Sequence, residues 1–454
     1  MTEPGDRAEE ILSAAGIEPD AGARMDGQPS SGPRSMAEIN KDFWPWPGRY
    51  GLGAIFDFAR ARRVSPWALL AEVLLRIVTR ISPAVQLPAL VGGNASLNLF
   101  AGIVGRSGQG KGTAAAAARD VINGGWQISG KGIGSGEGLV KLFGKADKDG
   151  EITRISYCEL LSIYEIDSFG AQQNRSGATI AAELRKTFSG EPLGFAYADG
   201  TKRVLLDAHS YRLCVSAGIQ PGRGGVLLDD EDAGTPQRFM WLPATDPDAP
   251  DVRPDEPAPL RWEAPPEIAD IEMASAVPYV MDVCETARNV VDAARLARLR
   301  GEGNALDGHA LLTRLKVGAA LALLDGHAEV TDDDWSLSGL VMEVSDQTRE
   351  SVAAELRKAK ADRNTAQGEA EASRARIVAG QTESDAVKAC CNRVMRVLKD
   401  GEWMARNILR CKLSSRIRDH FEETTEILAE SGQIETRETS PGHGMSGTEY
   451  RIRS

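Results

Sequence analysis

The sequence predicts an α/β protein with a parallel-sheet core, helices before and after it, and a small helix–strand module at the C terminus. Three observations predict it. The apolar run "SLNLFAGIV" (96–104) passes through the glycine-rich turn "GRSGQGKGT" (105–113) into "KGTAAAAARDVI", a strand, a turn and a helix in succession. The runs "YCELLSIYEIDSF", "YRLCVSAGIQ" and "QRFMWLP" are continuous, apolar and bounded by turn residues, as strands buried on both faces are. Residues 385–454 read helix, helix, turn, longer helix, strand, glycine-rich loop, strand.

Composition allows this plan. The chain has 454 residues, 42% hydrophobic and 26% charged, enough for roughly two to four domains. Its net charge of -12 predicts that any nucleic-acid contact comes from a local patch. Six cysteines without a C-x-x-C pair, and only five histidines, argue against a structural zinc site or a disulfide framework; reduced cytoplasmic thiols are the expectation. No basic segment precedes an apolar one at the N terminus, so no signal peptide is expected. "WALLAEVLLRIV" is interrupted by Glu72 and Arg76 and is too short to span a bilayer, so no membrane partner is expected.

In chain order, residues 1–49 read as a disordered, Gly/Ser/Pro-rich tail followed by an extended docking segment, "DFWPWPGRYG". Residues 50–90 form an N-terminal helical region of two helices, the second starting at Ser65-Pro66. The core spans 91–245. Within it a second glycine cluster precedes a helix near 137–143, "GATIAAELRKTFSG" is helical, and residues 193–207 form a hairpin about Asp199-Gly200. A Pro/Asp-rich connector follows at 246–268, a helical region at 269–360, and either a linker or a helix extension at 361–384. In "VTDDDW", Thr331 is the expected N-cap with Asp334 at its third position.

The turn carries the most specific signal. Gly105, Gly110 and Lys111 satisfy G-x-x-x-x-G-K after a strand and before a helix. Gly105, Ser107, Gly108, Gly110 and Gly112 leave main-chain N–H groups open to an anion. The helix N-terminus adds positive potential, and Lys111 supplies a charge for outer phosphates. A nucleotide such as ATP, with Mg²⁺, is the expected ligand. The position after the lysine, where a metal-binding hydroxyl is expected, is Gly112; Thr113 follows one place later and is the candidate hydroxyl. This "GxGKGT" ending resembles the adenylate-kinase form of the loop, so a small-molecule kinase is a further reading, though the hairpin and last unit do not fit one.

Hydrolysis needs a carboxylate near the metal and another to activate water. Glu165 and Asp167 end the strand "LLSIYEIDSF" on one side of it, Glu165 the candidate for water activation and Asp167 for the metal shell. Gln220 ends "YRLCVSAGIQ", either reading a γ-phosphate or capping a turn before Pro221. Arg238, in "TPQRF", is either a finger reaching a neighbouring subunit's phosphates or a surface ion pair. Lys202 and Arg203 follow the hairpin turn, where they either touch a phosphate backbone or are simply solvated.

The order of these parts resembles an AAA+ ring helicase of the minichromosome-maintenance type, and the P-loop ATPases carried by phages and integrated elements. "GRSGQGKG" matches the Walker A loop. "IYEIDSF" resembles the Walker B run, with Tyr164 in place of its first aspartate. The hairpin precedes the strand that would carry the sensor residue Gln220, and "TPQRF" resembles the arginine-finger segment. "HALLTRLKVGAALALLDGHAEVTDDDW" resembles the helical lid, with Arg314 as a second sensor. The resemblance spans roughly residues 91–350 and implies a P-loop NTPase core with a helical lid. It also implies a homo-oligomeric ring such as a hexamer, and a primase or other replication partner. A RecA-type ring ATPase shares the loop and the terminal acids.

The last unit reads as a winged helix, with Ser414 or Ser415 capping its long helix, Gly432 ending it and "SPGHGMSG" as the wing. Residues 388–418 carry nine Lys/Arg against two acids, and Arg416 and Arg418 fall in the first turn of the long helix, the candidates for DNA contact. A winged helix that docks protein is the alternative. Two functions follow: an ATP-driven DNA motor or initiator of a mobile element, and a non-motor ATP switch in regulation or defence.

Overall fold

The computed structural model describes residues 34–123, 131–132, 135–146, 152–163, 179–194, 204–230, 232–302, 307–439 and 447–453. The chain divides into two compact units, Met1–Leu356 and Arg357–Ser454. Among the described residues no helix is long and apolar enough to cross a membrane.

The first unit begins with a helix, α1 (Met36–Phe43), where an extended segment is expected. A capping box sets its start: Glu38 N donates to Ser35 Oγ at 3.3 Å and Ser35 N donates to the Glu38 carboxylate at 2.7 Å. Pro45 and Pro47 come after the helix and stop it, rather than holding 42–49 extended. The aromatic residues do dock, Phe43 and Trp44 lying 4.6 and 4.9 Å from the Trp67 ring.

Next come α2 (Tyr50–Ala61) and α3 (Pro66–Arg80). Ser65 caps α3, accepting from Ala68 N at 3.4 Å, with Pro66 at the first helical position. Apart from Arg80, every residue of α3 is buried. A helix apolar nearly all round belongs inside a core, and α3 crosses one face of the central sheet, touching all of its strands. Residues 50–90 are therefore part of the sheet's own core rather than a region beside it.

The sheet has four parallel strands: β1 (Phe100–Val104), β2 (Cys158–Ile163), β3 (Arg212–Ile219) and β4 (Phe239–Pro243), in the spatial order β4-β1-β3-β2. Val104 pairs with both Ile219 and Pro243, and Ser162 with Ser216. Alternation sorts the residues: Ala101 and Ile103 join the core around α3, while Phe100 and Val104 join a second core with Phe188. The ladder begins at Phe100, not at Ser96 as expected. Asn98 accounts for this: its side chain accepts from Leu213 N at 3.1 Å and donates to Thr187 O at 2.6 Å, replacing regular pairing there.

Helix α4 (Lys111–Val121) follows β1 through the glycine-rich turn; α5 (Gly136–Lys141) and α6 (Thr179–Ser189) come later. Only the base of the expected hairpin is described, Leu193–Gly194 pairing with Leu205–Leu206. After β4 the connector carries a short pairing of Leu260–Arg261 with Ile122–Asn123. Helices α7 (Glu285–Leu299) and α8 (Asp307–Leu324) lead to α9 (Asp332–Val397). The capping box at Thr331 is present: Asp334 N donates to Thr331 Oγ1 at 3.3 Å and Thr331 N to Asp334 Oδ2 at 2.8 Å. Of the two expectations for 361–384, the helix holds. That stretch is exposed and rests on Ala, Glu, Arg and Gln propensity and on i,i+4 pairs such as Gln367–Glu371 at 2.9 Å.

The second unit contains α10 (Arg406–Cys411), α11 (Ser415–Arg418), α12 (Phe421–Glu430), β5 (Ile434–Thr439) and β6 (Gly447–Ile452). β5 and β6 are antiparallel, and Met404–Ala405 adds to the free side of β6. Its core gathers Cys390, Val394, Leu409, Phe421, Leu428 and Tyr450. The single long helix expected here is split. An i→i+3 bond from His420 N to Ile417 O at 3.3 Å tightens the chain between α11 and α12. Gly432 follows α12 with φ +70, the left-handed stop expected of it.

Candidate functional site

The turn between β1 and α4 opens where the sheet ends. Gly105 N donates to Ile219 O at 2.9 Å, and Ala244 N to Val104 O at 2.7 Å. Gly105 is packed so closely that a Cβ would lie 2.8 Å from the Ala244 Cβ. Gly108 and Gly110 have φ of +83 and +86, which side chains rarely adopt, and a Cβ on Gly110 would meet Thr113 Oγ1 at 2.8 Å. Ser107, Gly108, Gly112 and Thr113 are exposed. Lys111 turns its ammonium back over the loop, donating to Gly105 O at 2.7 Å and Arg106 O at 3.0 Å. Thr113 Oγ1 donates to Gly110 O at 2.6 Å, and Arg106 N to Gln109 Oε1 at 2.6 Å. These residues fit a bound polyphosphate: a main-chain cradle that a Cβ would fill, at a helix N-terminus, with an ammonium bridging its rim.

Behind the loop lies a polar cluster that sequence reasoning missed. Glu72 of α3 is 1% exposed and pairs with Arg76 one turn on, while Ser216 of β3 donates to its other oxygen. Arg76 also donates to Ala115 O of α4 at 3.0 Å. Glu72, Ser162, Ser216, Lys111 and Gly112 line one small cavity of about 20 Å³, room for a single water. A carboxylate and an arginine in "WALLAEVLLRIV" were the available signal; they read only as breaks in an apolar run.

The remaining expected residues divide. Gln220 directly follows β3, beside the start of the loop, half-buried. Arg238 is 8% exposed, donating to Ala233 O at 2.7 Å and sharing a hydrogen bond with His309 Nε2 at 3.1 Å. Burial lowers its pKa to about 10. As folded here it is turned inward against His309 rather than placed in a surface ion pair. Burial and the adjacent Arg238 and Arg298 push His309 down to about 4. Arg314 lies 3.7 Å over the Trp335 ring and donates to Trp335 O at 2.9 Å, engaged with α9 rather than with the loop.

Glu165 and Asp167, and the hairpin residues Lys202 and Arg203, lie outside the described residues, as does Tyr164. Among the described residues no group of three or more His, Cys, Asp or Glu could hold a metal ion. In the second unit, Arg416 is exposed on the short α11. Arg418 is half-buried and donates to Leu413 O at 2.8 Å, closing the turn after α10. Neither sits in the first turn of the longer helix, because that helix starts only at Phe421.

Neither a protein-family model nor a curated protein sequence matches this chain.

Proposed function

We propose that the chain binds and hydrolyses ATP at the Gly105–Thr113 loop, on a P-loop NTPase core, and that its C-terminal unit is a winged helix that holds DNA. The observation that carries the proposal is the loop itself: two left-handed glycines and a lysine between a buried parallel strand and the helix it feeds. The nucleotide supplies the phosphoanhydride bond that is broken. Main-chain amides of the loop bind the phosphates and orient them. Lys111 exchanges its two carbonyl partners for phosphate oxygens, moving an ammonium onto negative charge. Gln220 stands at the next strand end, where it can register the outer phosphate. Glu165 as water activator and Asp167 as a Mg²⁺ ligand rest on their place just after β2, which runs parallel to β1 and ends on the same side of the sheet.

The placement of Arg238 favours a second form of this function. A ring motor needs a residue that reaches a neighbour's phosphates, and the candidate for it is buried against His309. An ATP-dependent switch that changes DNA affinity without a ring needs no such residue.

ATP turnover, measured without DNA and with single- or double-stranded DNA, tests the proposal. The expected result is turnover that DNA stimulates and that Lys111→Ala removes. Turnover equal in wild type and Lys111→Ala would place the chemistry elsewhere. A strand-separation assay then distinguishes motor from switch.

A further inference from the structure

The second unit carries a groove that the basic composition of residues 388–418 did not locate. It is about 730 Å³ and lies between the last turns of α9 and the turn joining α10 to α11. Arg393 and Arg396, three apart on α9 and so on one face, form one wall with Asn392. Lys412, Ser414 and Ile417 form the other. No Asp or Glu lines it. Arg393, Arg396 and Lys412 are exposed and have no carboxylate partner among the described residues.

Several other cations of this unit are engaged elsewhere, while Lys399, Arg410 and Arg416 are exposed outside the groove's lining. Arg406 pairs with Glu422, Arg437 with Glu449 at 2.6 Å, and Arg451 with Glu435 at 2.5 Å. Arg418 is bound to Leu413 O. The longer helix α12 presents Glu422 and Glu423 in its first turn, which would repel a phosphate backbone. The groove is thus an uncompensated positive channel on a chain of net charge -12.

We infer that this groove, rather than the start of α12, grips the DNA backbone, with Arg393, Arg396 and Lys412 each neutralising a phosphate. The inference rests on the DNA half of the proposed function. Ser414 makes no capping bond to α11, which leaves its hydroxyl to donate to a phosphate oxygen between the cations. The contacts are to the backbone, so the groove contributes affinity and orientation with little base preference.

The test is fluorescence anisotropy of a labelled DNA duplex and of a labelled single strand with the full chain, across a salt series. The variant Arg393→Ala/Arg396→Ala/Lys412→Ala removes exposed side chains and leaves the unit's core intact. It should bind about tenfold to a hundredfold more weakly, and its slope of log K against log salt should be smaller by about three. A control, Lys358→Ala/Lys360→Ala/Arg363→Ala, removes equal charge from the exposed helix surface and should match wild type. Wild-type binding to DNA with an unchanged slope in the groove variant would overturn the groove while leaving the DNA reading intact. Equal weakening in the control would do the same, since net charge alone would then explain the loss. Absence of salt-dependent binding by wild type to either DNA form would overturn both.

Discussion

In the glycine-rich loop the open polar groups belong to the main chain; at Arg238 and Arg314 the polar groups belong to long side chains bonded within the fold. The loop's conformation is set by the residues within it, two glycines in the left-handed region and a lysine that folds back over carbonyls five and six positions earlier. The two arginines are set by partners far along the chain: Arg238 by His309, Arg314 by the ring of Trp335. A backbone cradle keeps its chemistry wherever it is placed. A guanidinium takes its role from whatever surrounds it, and both of these became internal braces.

Four experiments sharpen or break that contrast. The largest effect is expected where the loop is held from behind. Glu72→Ala leaves Arg76 buried and uncompensated beside α4 and should lower the unfolding free energy by about 3–5 kcal/mol in denaturant titration, whereas Glu72→Leu/Arg76→Met should restore most of it. A single variant as stable as wild type would show that the pair does not brace the loop. Next, Arg314→Ala should cost on the order of 1–2 kcal/mol through the lost stacking on Trp335, with nucleotide affinity unchanged. A selective loss of nucleotide binding at full stability would return Arg314 to a sensing role.

Gly110→Ala adds a Cβ at φ +86, at a cost of roughly 1–2 kcal/mol, and should weaken nucleotide binding about tenfold. Gly112→Ala meets nothing within 4 Å and should leave binding near wild type, so similar losses in the two would refute a backbone-determined cradle.

The remaining test is in pH. His309 is held below its ordinary 6.5, to about 4, by burial first and then by Arg238 and Arg298. The unfolded chain therefore binds more protons between about pH 6.5 and 4, and stability falls as pH falls through that window. His327 is raised above 6.5, first by its hydrogen bond to Asp334, so its contribution is complete below 6.5 and is lost as pH rises through the folded value. Replacing each histidine by asparagine should change the slope of stability against pH in opposite senses. Slopes that move together would contradict the inward placement of His309.

Legibility in the sequence followed the same division. Capping at Thr331 and Ser65, the four buried strands and the glycine turn are local patterns, and each stands in the structure near where it was expected. The capping box at Ser35 is equally local, but the expectation for "DFWPWPGRYG" rests on its prolines alone. The strand start at Phe100 was displaced by one side chain, Asn98, which bonds residues more than eighty positions away.

What the sequence determined by itself is the periodicity of strands and helices, the caps, and a turn whose chemistry is main-chain. These depend on neighbours a few residues apart, and steric and hydrogen-bonding preferences act at that range. Tertiary structure alone decided that α3 lies across the sheet, that its Glu72 reaches Ser216 behind Lys111, and that Arg238 and Arg314 face inward. The reason is burial. Once a charged side chain leaves water it must find its partners wherever the fold supplies them, and no local pattern encodes where that is.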